Sequence, residues 1–244
     1  MCGRFSNYFA DNTIIGAFDL DRVVQTAATS WNIAPTQPIT VVLEQAHQLA
    51  DLPSPAATSP KPDRAAWVAR WGLVPSWAKD SKAAYRLINA RSETVTEKPS
   101  FRAAARRRRA LIPAAGYFEW QPNSAGTKTP FYLHPEPDGQ VLALAGLYEW
   151  WQDPAKSKHQ AEPLLSATII TRPATDQLGQ IHDRMPLIVP PELFGDWLDP
   201  APHTAGQVMA MMAAMPDPRL TPRQVSPAVG SVRNNHPGLL LPAT

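Results

Sequence analysis

The sequence predicts an α+β fold in which strands dominate and helices are peripheral, and three observations carry that prediction. Apolar, β-branched or aromatic runs recur at 39–44, 65–73, 110–120, 130–134, 141–151 and 164–172, each bounded by turn-forming residues. The 244-residue chain holds 27 prolines, about twice the usual share of ~5%, and they cut it into short segments. Helical patterns are few and do not alternate regularly with the strands, which argues against a doubly wound parallel sheet.

The helical segments follow from local signals. Residues 96–107 (TEKPSFRAAARR) offer a Thr cap and a run of helix formers, and 173–181 has an amphipathic, Asp- and Gln-containing pattern. Residues 190–198 open with two prolines, suited to a first helical turn, and 204–214 is rich in Ala and Met. No internal repeat and no break in composition divides the chain, so one domain spanning residues 1–244 is expected. The Pro-rich stretch 52–63 (LPSPAATSPKPD) is expected to be a mobile loop, 121–130 and 152–163 hairpin loops, and 230–244 a C-terminal tail.

Composition narrows the function. Hydrophobic residues make up 44% and charged residues 18%, as in an ordinary globular protein, and a net charge of +2 is no argument for nucleic acid. A single cysteine rules out an internal disulfide framework and fits a reducing, cytoplasmic setting. No signal-like segment or long apolar run is present, so no membrane association is expected. Gly-rich phosphate loops and the HExxH, CxxC and GxSxG motifs are absent, and the six histidines show no ligand spacing. Neither a metal nor a cofactor is expected.

That cysteine is Cys2, in the opening string MCGRF. Removal of Met1 leaves an α-amine and a thiol on adjacent carbons. Such a 1,2-aminothiol condenses with an aldehyde to an imine and then closes a thiazolidine ring. The α-amine titrates near ~8 and the thiol near ~8.5, so both are usable near neutral pH. The same terminus could instead act as a nucleophile on an amide.

Four further strings carry chemistry-bearing residues. WNIAPTQPI (31–39) sets Pro35 in a turn, and WGLVPSWAKD (71–80) places Trp77 after another, followed by LINARSET (87–94) with Asn89 and Arg91. YFEW (117–120) embeds Glu119 among aromatics, and IHDRMPLI (181–188) places His182 and Arg184 after a helix. Taken singly, each has a structural explanation. Glu119 alternates with Phe118 and Trp120, a pattern that turns a strand carboxylate toward solvent. His182 could serve only the helix end. Asn89 could satisfy buried backbone, and Trp77 could be core. The run Arg106 to Arg109 reads equally as a DNA-steering patch or as cations at a helix C-terminus.

In order along the chain, MCGRF, NIAPTQ, GLVPSWAKD, INARSET, IPAAGYFEW, AGLYEWW and IHDRMPLI resemble the SOS response-associated peptidase family, from Met1 to about Val229. The resemblance implies mixed, largely antiparallel sheets curled into a barrel-like core with peripheral helices. It also implies an abasic-site sensor that bonds covalently, through Cys2, to abasic sites in single-stranded DNA as a thiazolidine, with associated lyase chemistry. Cys2 matches the nucleophile, Asn89 the residue that holds the terminus and sugar, Glu119 the acid/base and His182 the group that assists ring opening. Arg4, Arg91 and Arg184 match phosphate contacts, Pro35, Trp77 and Trp120 base-stacking positions, and Thr171 a weaker polar contact. Some relatives carry a second aromatic after Trp77, where this chain has Ala78. The partner implied is single-stranded DNA containing abasic sites; the sequence does not give the oligomeric state, and a monomer is expected. A peptidase or autopeptidase built on Cys2, and a non-catalytic single-strand-binding module, are the other classes that these residues permit.

Overall fold

The computed structural model describes residues 2–45, 63–124, 126–156 and 162–243. The chain runs through β1 (Phe5–Asn7), α1 (Asp11–Phe18), β2 (Arg22–Val23), β3 (Ser30–Ile33), β4 (Pro38–Gln45) and β5 (Asp63–Trp71). A 3-10 turn at Lys82–Arg86 precedes β6 (Asn89–Arg91), α2 (Arg102–Arg107), β7 (Arg109–Ala114), β8 (Gly116–Pro122), β9 (Lys128–His134) and β10 (Leu142–Trp151). β11 (Leu164–Pro173), α3 (Asp176–Ile181), β12 (Arg184–Pro186), α4 (Phe194–Leu198), α5 (Ala205–Ala214) and β13 (Thr221–Gln224) complete it.

Five strands close a barrel in the order β11-β10-β7-β4-β5 and back to β11. Every pairing is antiparallel except β5 with β11, where Ser166 lies opposite Arg70 and Ala167 opposite Trp71. Closure leaves these long apolar strands without a free edge. A second sheet, β13-β9-β8-β1-β3, is antiparallel throughout. The α+β class and the barrel-like core expected from the sequence are both present.

The barrel strands bury both faces, which is why they read as continuous apolar runs rather than alternating ones. Ile39, Val41 and Leu43 of β4 join Ile112, Leu144 and Ile169 in a core that also takes in Cys2, Phe5, Tyr117 and Leu133 from the second sheet. Val42, Leu111, Ala145 and Ile170 point the other way, under Phe18, Ala104, Trp197 and Met212 of the helices. Strand periodicity thus divides the apolar residues between a core shared by the two sheets and a helix-covered layer.

Several expected boundaries move for physical reasons. The helix expected over 96–107 is only α2, because Pro99 disfavours helical geometry at Lys98 and the chain turns until Phe101. The run 110–120 is two strands in two sheets, β7 and β8, parted at Ala115. Helices α3, α4 and α5 fall within the expected stretches 173–181, 190–198 and 204–214, whereas α1 matches no expected element, and α5 opens with a Thr204–Gln207 capping box. The loop expected at 52–63 lies outside the described residues except for Asp63, and so does 157–161 of the loop expected at 152–163.

Within the expected C-terminal tail Leu239 is buried, while most other residues of 230–243 are exposed. Short 3-10 turns at Pro227–Gly230 and Pro237–Leu240 bring Val229 and Leu239 onto Phe118, Tyr132 and Val225. No helix among the described residues is long and apolar enough to cross a membrane.

Gly116 is where the chain passes from the barrel to the second sheet, and a Cβ there would lie 2.5 Å from the Tyr132 ring and 2.6 Å from the Leu133 carbonyl oxygen. Gly116→Ala must therefore displace backbone. It is expected to cost about 1–3 kcal/mol, read as a lower urea midpoint at unchanged m-value. An unchanged midpoint would show that β8 and β9 are not so tightly apposed.

Candidate active site and nucleic-acid interface

The site is built around β8. Tyr117 lies in the core shared by the two sheets, whereas Phe118 and Trp120 face the cluster formed by the C-terminal segment. Alternation therefore sends Glu119 inward with Tyr117, and it is 3% exposed. The sequence pattern that turned Glu119 toward solvent fails because the C-terminal turns cover the opposite face of β8.

The N-terminal segment is stitched beside β8. Phe5 pairs with Tyr117, and the Phe118 N–H donates to the Arg4 carbonyl at 2.9 Å. Continued two residues back from Phe5, this register reaches Gly3 opposite Glu119, one residue from Cys2, which is fully buried. The Asn89 side-chain amide donates to the Cys2 carbonyl at 2.8 Å. Asn89 reaches it from β6, which extends the barrel edge beyond β5 by pairing with the last part of β11.

His182 follows α3, in an extended conformation. Gln121, two residues beyond Glu119 on β8, donates from its side chain to the Gln180 carbonyl at 2.9 Å and fixes α3 against the strand. The Arg184 N–H donates to His182 Nδ1 at 3.0 Å, so the neutral ring carries its proton on Nε2. That nitrogen lies 3.9 Å from Glu119 Oε2. Asp183 Oδ1, 2.9 Å from Nδ1, adds attraction once the ring is protonated.

Burial sets the protonation states. Desolvation lifts the Glu119 carboxyl to about 7, against the pull of the chain's terminal ammonium. Burial, reinforced by the Glu119 charge, pushes the Cys2 thiol well above its ordinary range. Burial, reinforced by the terminal ammonium, lowers His182. Near neutral pH the group is a protonated thiol beside a half-ionised carboxyl and a neutral imidazole. It can pass one proton between a nucleophile and the carboxyl.

A second group lies along the end of β11. Thr171 faces Arg91 on one side and Pro186 of β12 on the other. Arg91 is exposed. Arg184 is not free: its guanidinium binds Glu93 with two nitrogens and donates to the Thr171 carbonyl at 2.6 Å. This ion pair holds the Glu93 carboxyl down at about 2. The motif LINARSET contains Glu93, but a partner 91 positions away cannot be read from the sequence.

Arg4 meets the site through its backbone, while its guanidinium turns to Asn32 Oδ1 (2.8 Å) and the carbonyls of Val229 (2.9 Å) and Gly230 (3.1 Å). Pro35 is half-buried in a turn whose next residue, Thr36, has a φ of 72°. Trp120 is half-buried, and Trp77 is 65% exposed. Ala78 packs inward with Val74, Ala84 and Trp151. Of the basic run, Arg109 is buried against the carbonyls of Trp197 and Ala105, and Arg108 pairs with Glu149, leaving Arg106 and Arg107 exposed. Among the described residues no group of three or more His, Cys, Asp or Glu side chains could hold a metal ion.

The sequence profile of the SOS response associated peptidase (SRAP) family matches residues 1–232. The chain belongs to this family. Abasic site processing protein YoaM of Bacillus subtilis is 36% identical over 98% of this chain and 97% of its own length. Abasic site processing protein HMCES of Rattus norvegicus is 30% identical over the whole of this chain and 76% of its own. A crystal structure from Bacteroides thetaiotaomicron shares the SRAP chain's fold at a TM-score of 0.75 and 20% identity, with both chains fully covered.

The raised Glu119 pKa has a consequence for the stability of this SRAP chain. A carboxyl raised in the folded state favours folding fully below its unfolded value of 4.5, and the advantage is lost as pH rises through about 7. Glu119→Gln should therefore gain stability relative to the parent between pH 5 and pH 8, by up to about 3 kcal/mol. Thermal melts of both proteins across that range check it. Parallel curves would mean that Glu119 titrates normally.

Proposed function

We propose that this protein processes abasic sites in single-stranded DNA by covalent capture through the Cys2 terminus exposed on removal of Met1. The observation that carries the reading is the anchoring of Cys2 by Asn89 beside a buried Glu119 poised near neutrality and facing His182. The family membership and the names of the similar proteins support the same reading.

The ring-opened abasic deoxyribose presents an aldehyde. The Cys2 amine adds to its carbon, the resulting carbinolamine loses water, and an iminium forms. Glu119 removes the thiol proton, sulfur bonds to the iminium carbon, and the neutral thiazolidine remains. The balance is one aldehyde and one aminothiol giving one ring and one water. His182, neutral with its proton on Nε2, is suited to donate a hydrogen bond to the sugar-ring oxygen as the ring opens, and Asn89 holds the terminus through the Cys2 carbonyl. At the iminium stage the neighbouring carbon is acidified, which would permit strand cleavage by elimination.

The protonation state of Cys2 favours this order over amide cleavage. A peptidase needs a thiolate as the first attacking group, and burial disfavours one here. Aldehyde capture begins with the amine and needs the sulfur only after Glu119 can accept its proton. The exposed Arg91 and Trp77 are suited to phosphate and base, respectively, and stacking of this kind tolerates any sequence.

A single strand with one abasic site is expected to form a denaturation-resistant adduct whose mass is the sum of the two molecules less one water. A variant that retains Met1 or carries a residue ahead of Cys2 should form none, because its amine is an amide. Cys2→Ala should give only an imine, trapped by borohydride. A stable adduct from the blocked variant would make Cys2 an ordinary thiol nucleophile and overturn the ring mechanism.

A further inference from the structure

Only two aromatic side chains among the described residues are exposed, and they stand eight positions apart: Trp77 at 65% and Tyr85 at 54%. Large exposed rings are informative because water disfavours them, and a soluble surface seldom gathers them. Trp77 is already a stacking candidate. Tyr85, in the 3-10 turn that leads to Asn89, belongs to none of the strings that point to function in the sequence.

The stretch between them is basic. Lys79, Lys82 and Arg86 are exposed, and no ion pair engages them among the described residues. Asp80 is the one acid between Trp77 and Asn89, and its carboxylate accepts the Lys82 N–H at 2.8 Å.

The platform is held from beneath. Ala78 and Ala84 pack on Val74 and Trp151, and the Trp151 indole donates to the Ala78 carbonyl at 2.8 Å. The Leu73 N–H donates to the Leu87 carbonyl at 3.1 Å, tying the two ends of the segment together. Arg86 Nε donates to the Tyr85 hydroxyl at 2.7 Å, and the guanidinium carbon lies 5.2 Å from the ring centroid. The ring is thus tethered by its hydroxyl with a cation beside it. A flat ring next to unpaired cations on a rigid support is the arrangement that binds a single strand, with bases on the rings and phosphates on the cations.

We infer that Tyr85, with Arg86, Lys79 and Lys82, forms a second stacking position for single-stranded DNA that extends the strand's path away from the lesion site. Three residues separate Tyr85 from Asn89, so in the chain the platform leads into β6, which carries Asn89 and Arg91. The inference rests on the single-strand reading above but not on the covalent chemistry.

The test is anisotropy with undamaged oligodeoxynucleotides of increasing length, binding the full chain. Parental affinity is expected to rise with length until the strand reaches Tyr85. Tyr85→Ala should lose about 5- to 100-fold on the long strands alone, and Tyr85→Phe should restore most of it. Lys79→Gln with Lys82→Gln should flatten the salt dependence on long strands, by about 0.7 in log–log slope for each phosphate no longer neutralised. Equal affinity of Tyr85→Ala and parent at every length would overturn the inference. So would an equal loss at all lengths, or no binding of undamaged strands by the parent. If length-dependent loss is seen but abasic DNA forms no covalent adduct, the platform stands and the capture chemistry falls.

Discussion

The pairing of the N-terminal segment with β8 is the constraint on which the site depends. Phe5 opposite Tyr117 and the Phe118–Arg4 hydrogen bond set one register, which continued to Gly3 reaches Glu119 and leaves Cys2 one residue away. The same strand is buried on both sides, by the core around Tyr117 and by the C-terminal turns over Phe118. Glu119 is thereby removed from water, and its pKa rises because the charged form has lost more in hydration than the terminal ammonium returns. The Arg4 guanidinium, bound to the carbonyls of Val229 and Gly230, ties this cover to the N-terminal segment.

The barrel supplies the other half of the site through a topological device. β11 pairs first with β5 and then, on the same edge, with β6, while β12 takes its other edge. Its last residues are therefore flanked on both sides, and Asn89, Arg91, Thr171 and Arg184 gather there from three strands. Arg184, bound to Glu93 and to the Thr171 carbonyl, braces this cluster across strands. Among the described residues Arg91 has no such partner.

The candidate chemistry of the terminus is legible in the sequence because removal of Met1 would leave Cys2 a 1,2-aminothiol, whereas the burial that raises its thiol pKa is a property of the fold. Glu119 is only half legible. Its neighbours Phe118 and Trp120 imply an outward carboxylate, and the reversal comes from the C-terminal turns, more than 100 residues away in the chain. The strand run 110–120 hides a change of sheet because both halves are apolar, and only Gly116 marks it. β6 and β12, three residues each, are too short for any periodicity to show, yet they place Asn89 and Arg184. Gln121, which fixes the helix bearing His182, and Tyr85 match none of the strings that point to function.

Carbon-13 NMR titration of the Glu119 side-chain carboxyl, in the chain with Met1 in place, addresses the central claim most directly. A midpoint near neutrality, well above the unfolded carboxylate value, is the predicted result. A midpoint near 4.5 would mean that Glu119 is hydrated and fully ionised at neutral pH, and would contradict its role as proton acceptor for the Cys2 thiol.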